Sequence, residues 1–257
     1  MMKVGILAGG LGTRLSEVTS VLPKPMVEIG GKPILWHIMK SYAAYGYKEF
    51  VIALGYKGEI IKDYFLNYRL HSRGLSIDLS DGQIEIHQGS CEDWKIHLLD
   101  TGLETQTGGR VKKIADFIGN EPFMLTYGDG VSNLNIDDLL KFHKSHGRYA
   151  TITSVRPPAR FGEIRFEGNK VTRFEEKPQV GEGWINGGFF VLQPEIIKFI
   201  DNDEKVIFER DPLERLAAID QLMAYRHEKF WQCMDTMRDV RILETLWQEN
   251  NAPWKVW

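Results

Sequence analysis

Apolar positions recur along this chain with two spacings, and their alternation predicts the order of its elements. Val4-Gly5-Ile6-Leu7-Ala8 is apolar throughout, as expected for a strand buried on both faces of a parallel sheet. Phe50-Val51-Ile52-Ala53-Leu54 and Pro122-Phe123-Met124-Leu125-Thr126-Tyr127 repeat that pattern. Ile34, Leu35, Ile38, Met39, Tyr42 and Ala43 form a helical stripe that Pro33 opens and Gly46 ends. A second helix is expected from Gly58 to about Tyr68. Between Leu75 and Leu99 the short runs Ile84-Glu85-Ile86 and Ile96-His97-Leu98 suggest an antiparallel excursion at the sheet edge.

Further along, Thr107-Gly108-Gly109-Arg110 reads as a turn ahead of a helix reaching about Ile118. Asn135 reads as the cap of a helix through His146, with Gly147 past its end. Strands are expected at Ala150 to Val155, Val171 to Phe174, Trp184 to Leu192 and Leu222 to Tyr225. Helices are expected near Pro194 to Ile200, Pro212 to Ile219 and Arg238 to Gln248. The strand–helix alternation predicts an α/β fold with helices on both faces of a sheet. No internal repeat or linker-like stretch interrupts it, so residues 1–257 read as one domain.

Composition narrows the function classes. A hydrophobic content of 43% supports a large core, and a formal net charge of −3 argues against nucleic acid or a membrane surface as partner. No apolar run approaches the roughly 20 residues that cross a bilayer. The first strand begins almost at the N-terminus without a signal peptide, so a cytoplasmic protein is expected. Cys91 and Cys233 stand far apart in no metal-like spacing and read as reduced, incidental thiols.

The chemistry gathers at strand ends. Gly9-Gly10-Leu11-Gly12-Thr13-Arg14-Leu15 follows the first strand. Glycines there let a polyanion approach backbone N–H groups, while Thr13 and Arg14 add donors suited to phosphate. The spacing fits neither a P-loop nor a dinucleotide fingerprint. Lys24 lies between Pro23 and Pro25, on a restricted backbone. Asp129, between Gly128 and Gly130 after a buried strand, is a candidate metal ligand, and Asp235 occupies a similar strand-to-helix position. Phosphoryl or nucleotidyl transfer suits this inventory, because it needs positioning and charge neutralisation more than a protein nucleophile.

Several motifs in one order, over nearly the whole chain, resemble the sugar nucleotidyltransferases. They are Leu7-Ala8-Gly9-Gly10-Leu11-Gly12-Thr13-Arg14-Leu15, Pro23-Lys24-Pro25-Met26, Gly128-Asp129-Gly130, Glu176-Lys177-Pro178 and Asn186-Gly187-Gly188. Gly30 to Lys40, Thr107 to Arg110, Tyr127 to Val131 and Ala252 to Lys255 are similar to the branch that uses CTP and glucose 1-phosphate. The resemblance implies a Rossmann-like, mostly parallel mixed sheet flanked by helices, with a small antiparallel extension. It implies cytidylyl transfer from CTP to α-D-glucose 1-phosphate with Mg²⁺, giving CDP-glucose and pyrophosphate.

By the same resemblance, Arg14, Lys24 and Asp129 would be catalytic. Leu7, Ala8, Gly9, Gly10, Leu11, Gly12, Thr13, Arg14, Lys24, Thr107, Gly108, Arg110 and Gly128 would bind the nucleotide. Glu176, Lys177, Asn186 and Gly187 would hold the sugar phosphate, and Asp129 with Asp235 the metal. A homo-oligomer is implied, a hexamer being one candidate. The competing readings are the same reaction with UTP or dTTP, and a catalytically silent sugar-nucleotide sensor.

Overall fold

The computed structural model describes residues 2–15, 19–157, 163–167, 170–175 and 183–257, without the side chains of residues 14, 163–166 and 173–175. Its main sheet is built from β1 (Val4–Leu7), β2 (Glu49–Leu54), β3 (Lys95–Asp100), β4 (Phe123–Tyr127), β5 (Ala150–Val155), β6 (Ile185–Leu192) and β7 (Leu222–His227). The strand order is β7-β5-β6-β4-β1-β2-β3. β1 runs parallel to both β2 and β4, and β3 runs parallel to β2. β6 is antiparallel to β4 and β5, and β7 is parallel to β5, so the sheet is mixed and mostly parallel.

Alternating side chains divide the core into two layers. Val4, Ile6, Phe50 and Ile52 face one way, against α1 (Ile34–Ala44), α4 (Ile136–His146) and α6 (Met237–Gln248). Leu7, Val51, Ala53 and Leu125 face the other way, against α3 (Thr107–Ile118) and α5 (Asp211–Ala218). α2 (Gly58–Leu66) contributes Ile61 to the first layer. Both faces of the central strands are covered, which is why those strands are apolar without alternation. Asn135 caps α4 by accepting from Asp138 N, and Gly147 beyond its end has φ 64°. Among the described residues, no helix is long and apolar enough to cross a membrane.

Two expectations are corrected here. Between Leu75 and Leu99 only Leu75–Ile77 and Ile84–Ile86 pair antiparallel, whereas Ile96-His97-Leu98 lies in β3, the parallel edge strand of the main sheet. Alternation reports a half-exposed strand and is silent about its direction. Thr107-Gly108-Gly109-Arg110 is the first turn of α3 rather than a turn before it. Its glycines serve close packing, since a Cβ on Gly108 would stand 2.7 Å from the Val206 carbonyl oxygen.

The chain passes from β1 to β2 and β3 on one side, then returns to place β4 on the other side of β1. Such a reversal opens a crevice at the carboxyl ends of the two central strands. Leu7 pairs with Tyr127, so the loops after β1 and β4 leave the sheet side by side.

Candidate active site

A cavity of about 480 Å³ opens where those loops leave the sheet. Leu7, Ala8, Gly9, Gly10, Gly12 and Thr13 line it from the β1 side, and Gly128 and Asp129 from the β4 side. Lys24, Thr107, Arg110 and Asp235 complete most of the wall. The glycines do different jobs. A Cβ on Gly10 would meet nothing within 4 Å, which leaves the loop open to a ligand, while Gly12 has φ 64° and supplies the left-handed bend.

Lys24 sits between two carboxylates, its Nζ donating to Asp129 Oδ2 at 2.6 Å and to Asp235 Oδ1 at 2.5 Å. Local chemistry sets each member. Pro23 opens the short 3₁₀ turn Lys24–Met26, whose ends are tied by Met26 N to Pro23 O and Val27 N to Lys24 O. Asp129 follows β4, and the antiparallel pairing of Gly130–Ser132 with Trp231–Cys233 brings the second segment alongside. Met234 N then donates to Asp129 O at 2.8 Å. Asp235 stands at the mouth of α6, where Thr236 and Asp239 form a capping box and Asp235 N donates to Asp239 Oδ2 at 3.1 Å. Burial alone would lower the Lys24 pKa, but the charge of Asp129 and the hydrogen bonds to both carboxylates outweigh it and raise the value.

Cys233 joins this group. Asp129, Cys233 and Asp235 each offer one donor atom, all within 4.8 Å of one another, and no other such cluster of three occurs among the described residues. Burial, followed by the charge of Asp129, pushes the thiol pKa well above its usual range. Cys233, which reads from the sequence as a reduced, incidental thiol, lies beside Asp129 because the pairing of Gly130–Ser132 with Trp231–Cys233 brings it there. Two convergent carboxylates that already hold one cation between them fit a divalent metal ion.

Arg110 works inward. It is buried, with Nη1 donating to Leu54 O and to Thr101 Oγ1, and Nη2 donating to Gly9 O and Leu103 O. Its guanidinium thus ties the glycine loop to the end of β2. Gly9 is glycine because Arg110 lies against it. A nucleotide would meet the clamp that holds the loop rather than a free cation.

Glu209 and Tyr127 are functional candidates that the sequence reading missed. Glu209 Oε1 accepts from Tyr127 Oη at 2.5 Å, and Oε2 accepts from Thr107 Oγ1 at 2.6 Å. Asn186 Nδ2 in turn donates to Tyr127 Oη at 2.9 Å. Burial, reinforced by the Glu209 charge, raises the Tyr127 pKa, so the hydroxyl stays a donor. This chain of contacts joins Thr107 to Asn186. Glu209 precedes α5 in Phe208-Glu209-Arg210-Asp211-Pro212, which carries no periodicity or motif that would mark it.

Some expected residues stand apart from the cavity wall. Leu11 is half exposed, and Gly108 gives its N–H to Val206 O. Asn186 reaches the wall through Tyr127, and Gly187 O accepts from Trp231 Nε1. Glu176, Lys177 and the side chain of Arg14 lie outside the described residues.

Comparison with known proteins adds to this geometry. A model of the nucleotidyl transferase family matches residues 3–252. Glucose-1-phosphate cytidylyltransferase of Salmonella typhi is 52% identical over 257 residues, covering 100% of both chains. A Bacillus subtilis (strain 168) protein named "Probable glucose-1-phosphate cytidylyltransferase" is 45% identical over 256 residues, again covering 100% of both. Among solved structures, HddC from Yersinia pseudotuberculosis superposes with a TM-score of 0.70 at 25% identity, covering 96% of this chain and 100% of its own.

Proposed function

The chain belongs to the nucleotidyl transferase family, and from that premise we propose that it transfers the cytidylyl group of CTP to α-D-glucose 1-phosphate, giving CDP-glucose and pyrophosphate. The observation that carries the reading is the placement of Lys24 between Asp129 and Asp235 on the wall of the strand-end cavity. Names carried by relatives at 45% and 52% identity supply the nucleotide and the sugar phosphate.

In this reading an oxygen of the sugar phosphate attacks the α-phosphorus in line. One P–O bond forms as the α–β anhydride breaks, and pyrophosphate departs. The attacking phosphate is already ionised, so no protein base is needed. Gly10, Gly12 and Thr13 offer an open, backbone-lined seat for the nucleotide phosphates. Lys24 contributes positive charge from a fixed turn, and Arg14 would steady the leaving pyrophosphate. Glu176 would hold the sugar hydroxyls and Lys177 the sugar phosphate, with Asn186 and Gly187 supporting the hexose. Members of the family generally use a divalent metal. Asp129 and Asp235 would hold Mg²⁺, which supplies charge neutralisation and alignment of phosphate oxygens when bound.

The proposal takes residues 1–257 as one functional unit that works in the cytoplasm. It includes a homo-oligomer, consistent with the exposed Ile77, Leu79 and Ile84 on the projecting hairpin. The test is pyrophosphate release with glucose 1-phosphate, Mg²⁺ and CTP, UTP, dTTP, ATP or GTP in turn. Release with CTP above all others is expected. Equal or faster release with another nucleotide would overturn the cytidylyl assignment, and silence with all five would favour a sensor.

A further inference from the structure

We propose that Cys233 is a third ligand of the cation site formed by Asp129 and Asp235, one that thiophilic divalent ions such as Zn²⁺ and Cd²⁺ recruit and Mg²⁺ does not. The inference rests on reading that carboxylate pair as a cation site. It goes beyond that reading by assigning a role to a side chain the proposed reaction does not use.

Placement comes from strand geometry. Cys233 ends the strand Trp231–Cys233 and precedes Asp235 by two residues. The register sets Cys233 opposite Gly130, which has no side chain to cover the sulfur, and Asp129 adjoins Gly130. The outcome is a sulfur and two carboxylate oxygens within 4.8 Å of one another, the two aspartates lining the cavity. Zinc-to-sulfur and zinc-to-oxygen bonds of about 2.3 and 2.1 Å span up to about 4.4 Å across one ion. Small rotations of the three side chains, with Lys24 Nζ displaced from between the two carboxylates, would close the set on a single metal.

Ligand softness then sorts the ions. Mg²⁺ takes hard oxygen donors and keeps several waters, so carboxylates and phosphates satisfy it and the thiol stays protonated. Zn²⁺ and Cd²⁺ gain a strong bond to thiolate. Binding them exchanges the S–H bond for an S–metal bond and releases one proton to solvent per ion, with no change of oxidation state. The site is thus open to a hard activating ion and is also a tight trap for a soft one, which would hold it closed to Mg²⁺.

The probe is Cd²⁺ titrated into the full-length protein without nucleotide, followed by the ultraviolet sulfur-to-cadmium charge-transfer band. One thiolate bond per chain is expected in the wild type and in Cys91→Ser. Cys233→Ser is expected to lose the band and to bind Cd²⁺ at least about tenfold more weakly. Its Mn²⁺ affinity, measured by calorimetry, should change less than about twofold, which also shows that the variant is folded. A band that survives Cys233→Ser, that disappears in Cys91→Ser, or that never forms in the wild type would overturn the proposal. The reading beneath it fails separately: Mn²⁺ binding unaffected by Asp129→Asn would mean that the carboxylates hold no metal.

Discussion

The guanidinium of Arg110 occupies the space that a side chain on Gly9 would need. Its Nη1 lies 2.2 Å from the position of a Cβ there, and Nη2 donates to Gly9 O at 3.0 Å. A residue that the family resemblance marks as nucleotide-binding has both Nη groups engaged in shaping the loop of the cavity. Gly9→Ala is expected to cost about 2–4 kcal/mol, because a buried charged network must move. Arg110→Met should cost a similar amount by removing the guanidinium's hydrogen bonds to Leu54 O, Thr101 Oγ1, Gly9 O and Leu103 O, although Tyr56 N and Thr101 N still serve Gly9 O and Leu54 O. Urea unfolding measures both. If Arg110→Met keeps wild-type stability while the KM for CTP rises, Arg110 is a ligand of the nucleotide and not a clamp.

The two carboxylates and Lys24 should separate by their metal response. Asp129→Asn and Asp235→Asn are expected to lower kcat/KM at least about 100-fold with little change in Tm. Lys24→Met leaves the carboxylates facing each other without their present counter-ion and should cost about 1–3 kcal/mol. Added Mg²⁺ or Mn²⁺ should restore that stability, and do so more strongly than it stabilises the wild type. Thermal melts with and without the ion decide it. A Lys24→Met protein indifferent to divalent ions would contradict a cation site.

Glu209 accepts from Thr107 on one side and from Tyr127 on the other. Glu209→Gln keeps the size but offers one acceptor in place of two, so one hydroxyl loses its partner at a cost of about 1–2 kcal/mol. Because Tyr127 also contacts Asn186, the KM values for both CTP and glucose 1-phosphate should rise together. Steady-state kinetics with each substrate varied would show it. A rise confined to one substrate would mean that the chain of contacts does not join the two subsites.

His143 predicts an acid limb in stability. It is buried, Nδ1 lies 2.8 Å from Thr151 Oγ1, and Gln193 Nε2 donates to its Nε2 at 2.8 Å. Burial first, then the charges of His146 and Lys144, lower its pKa to about 4. Above the unfolded value of about 6.5 both states are neutral and the full stability is present. Below it the unfolded chain binds a proton that the native state refuses, so stability falls toward pH 4 and then levels, by up to about 3 kcal/mol. His143→Gln should remove about one proton from the pH slope of urea-unfolding free energy across that window. An unchanged slope would mean that His143 titrates normally.

Much of this protein was legible locally. The double-faced apolar runs gave β1, β2 and β4, because a strand covered on both sides has no solvent-facing positions to mark with polar residues. Asn135 and Gly147 marked the ends of α4 through cap chemistry that needs only neighbouring residues. Glycines and an aspartate after β1 and β4 pointed to a binding crevice, since open α/β sheets place ligands at the carboxyl ends of their strands.

What required the folded molecule was every relationship between distant segments. The direction of β3, the use of Arg110 as a clamp, the bridge through Glu209 and the arrival of Cys233 beside Asp129 leave no local periodicity. Residues 9 and 110, 107 and 209, or 129 and 233 are strangers along the chain and neighbours in space. Pattern along a sequence reports which face of an element is buried. Only packing, by choosing what is buried against it, decides which donors are consumed by the protein and which are left for a ligand.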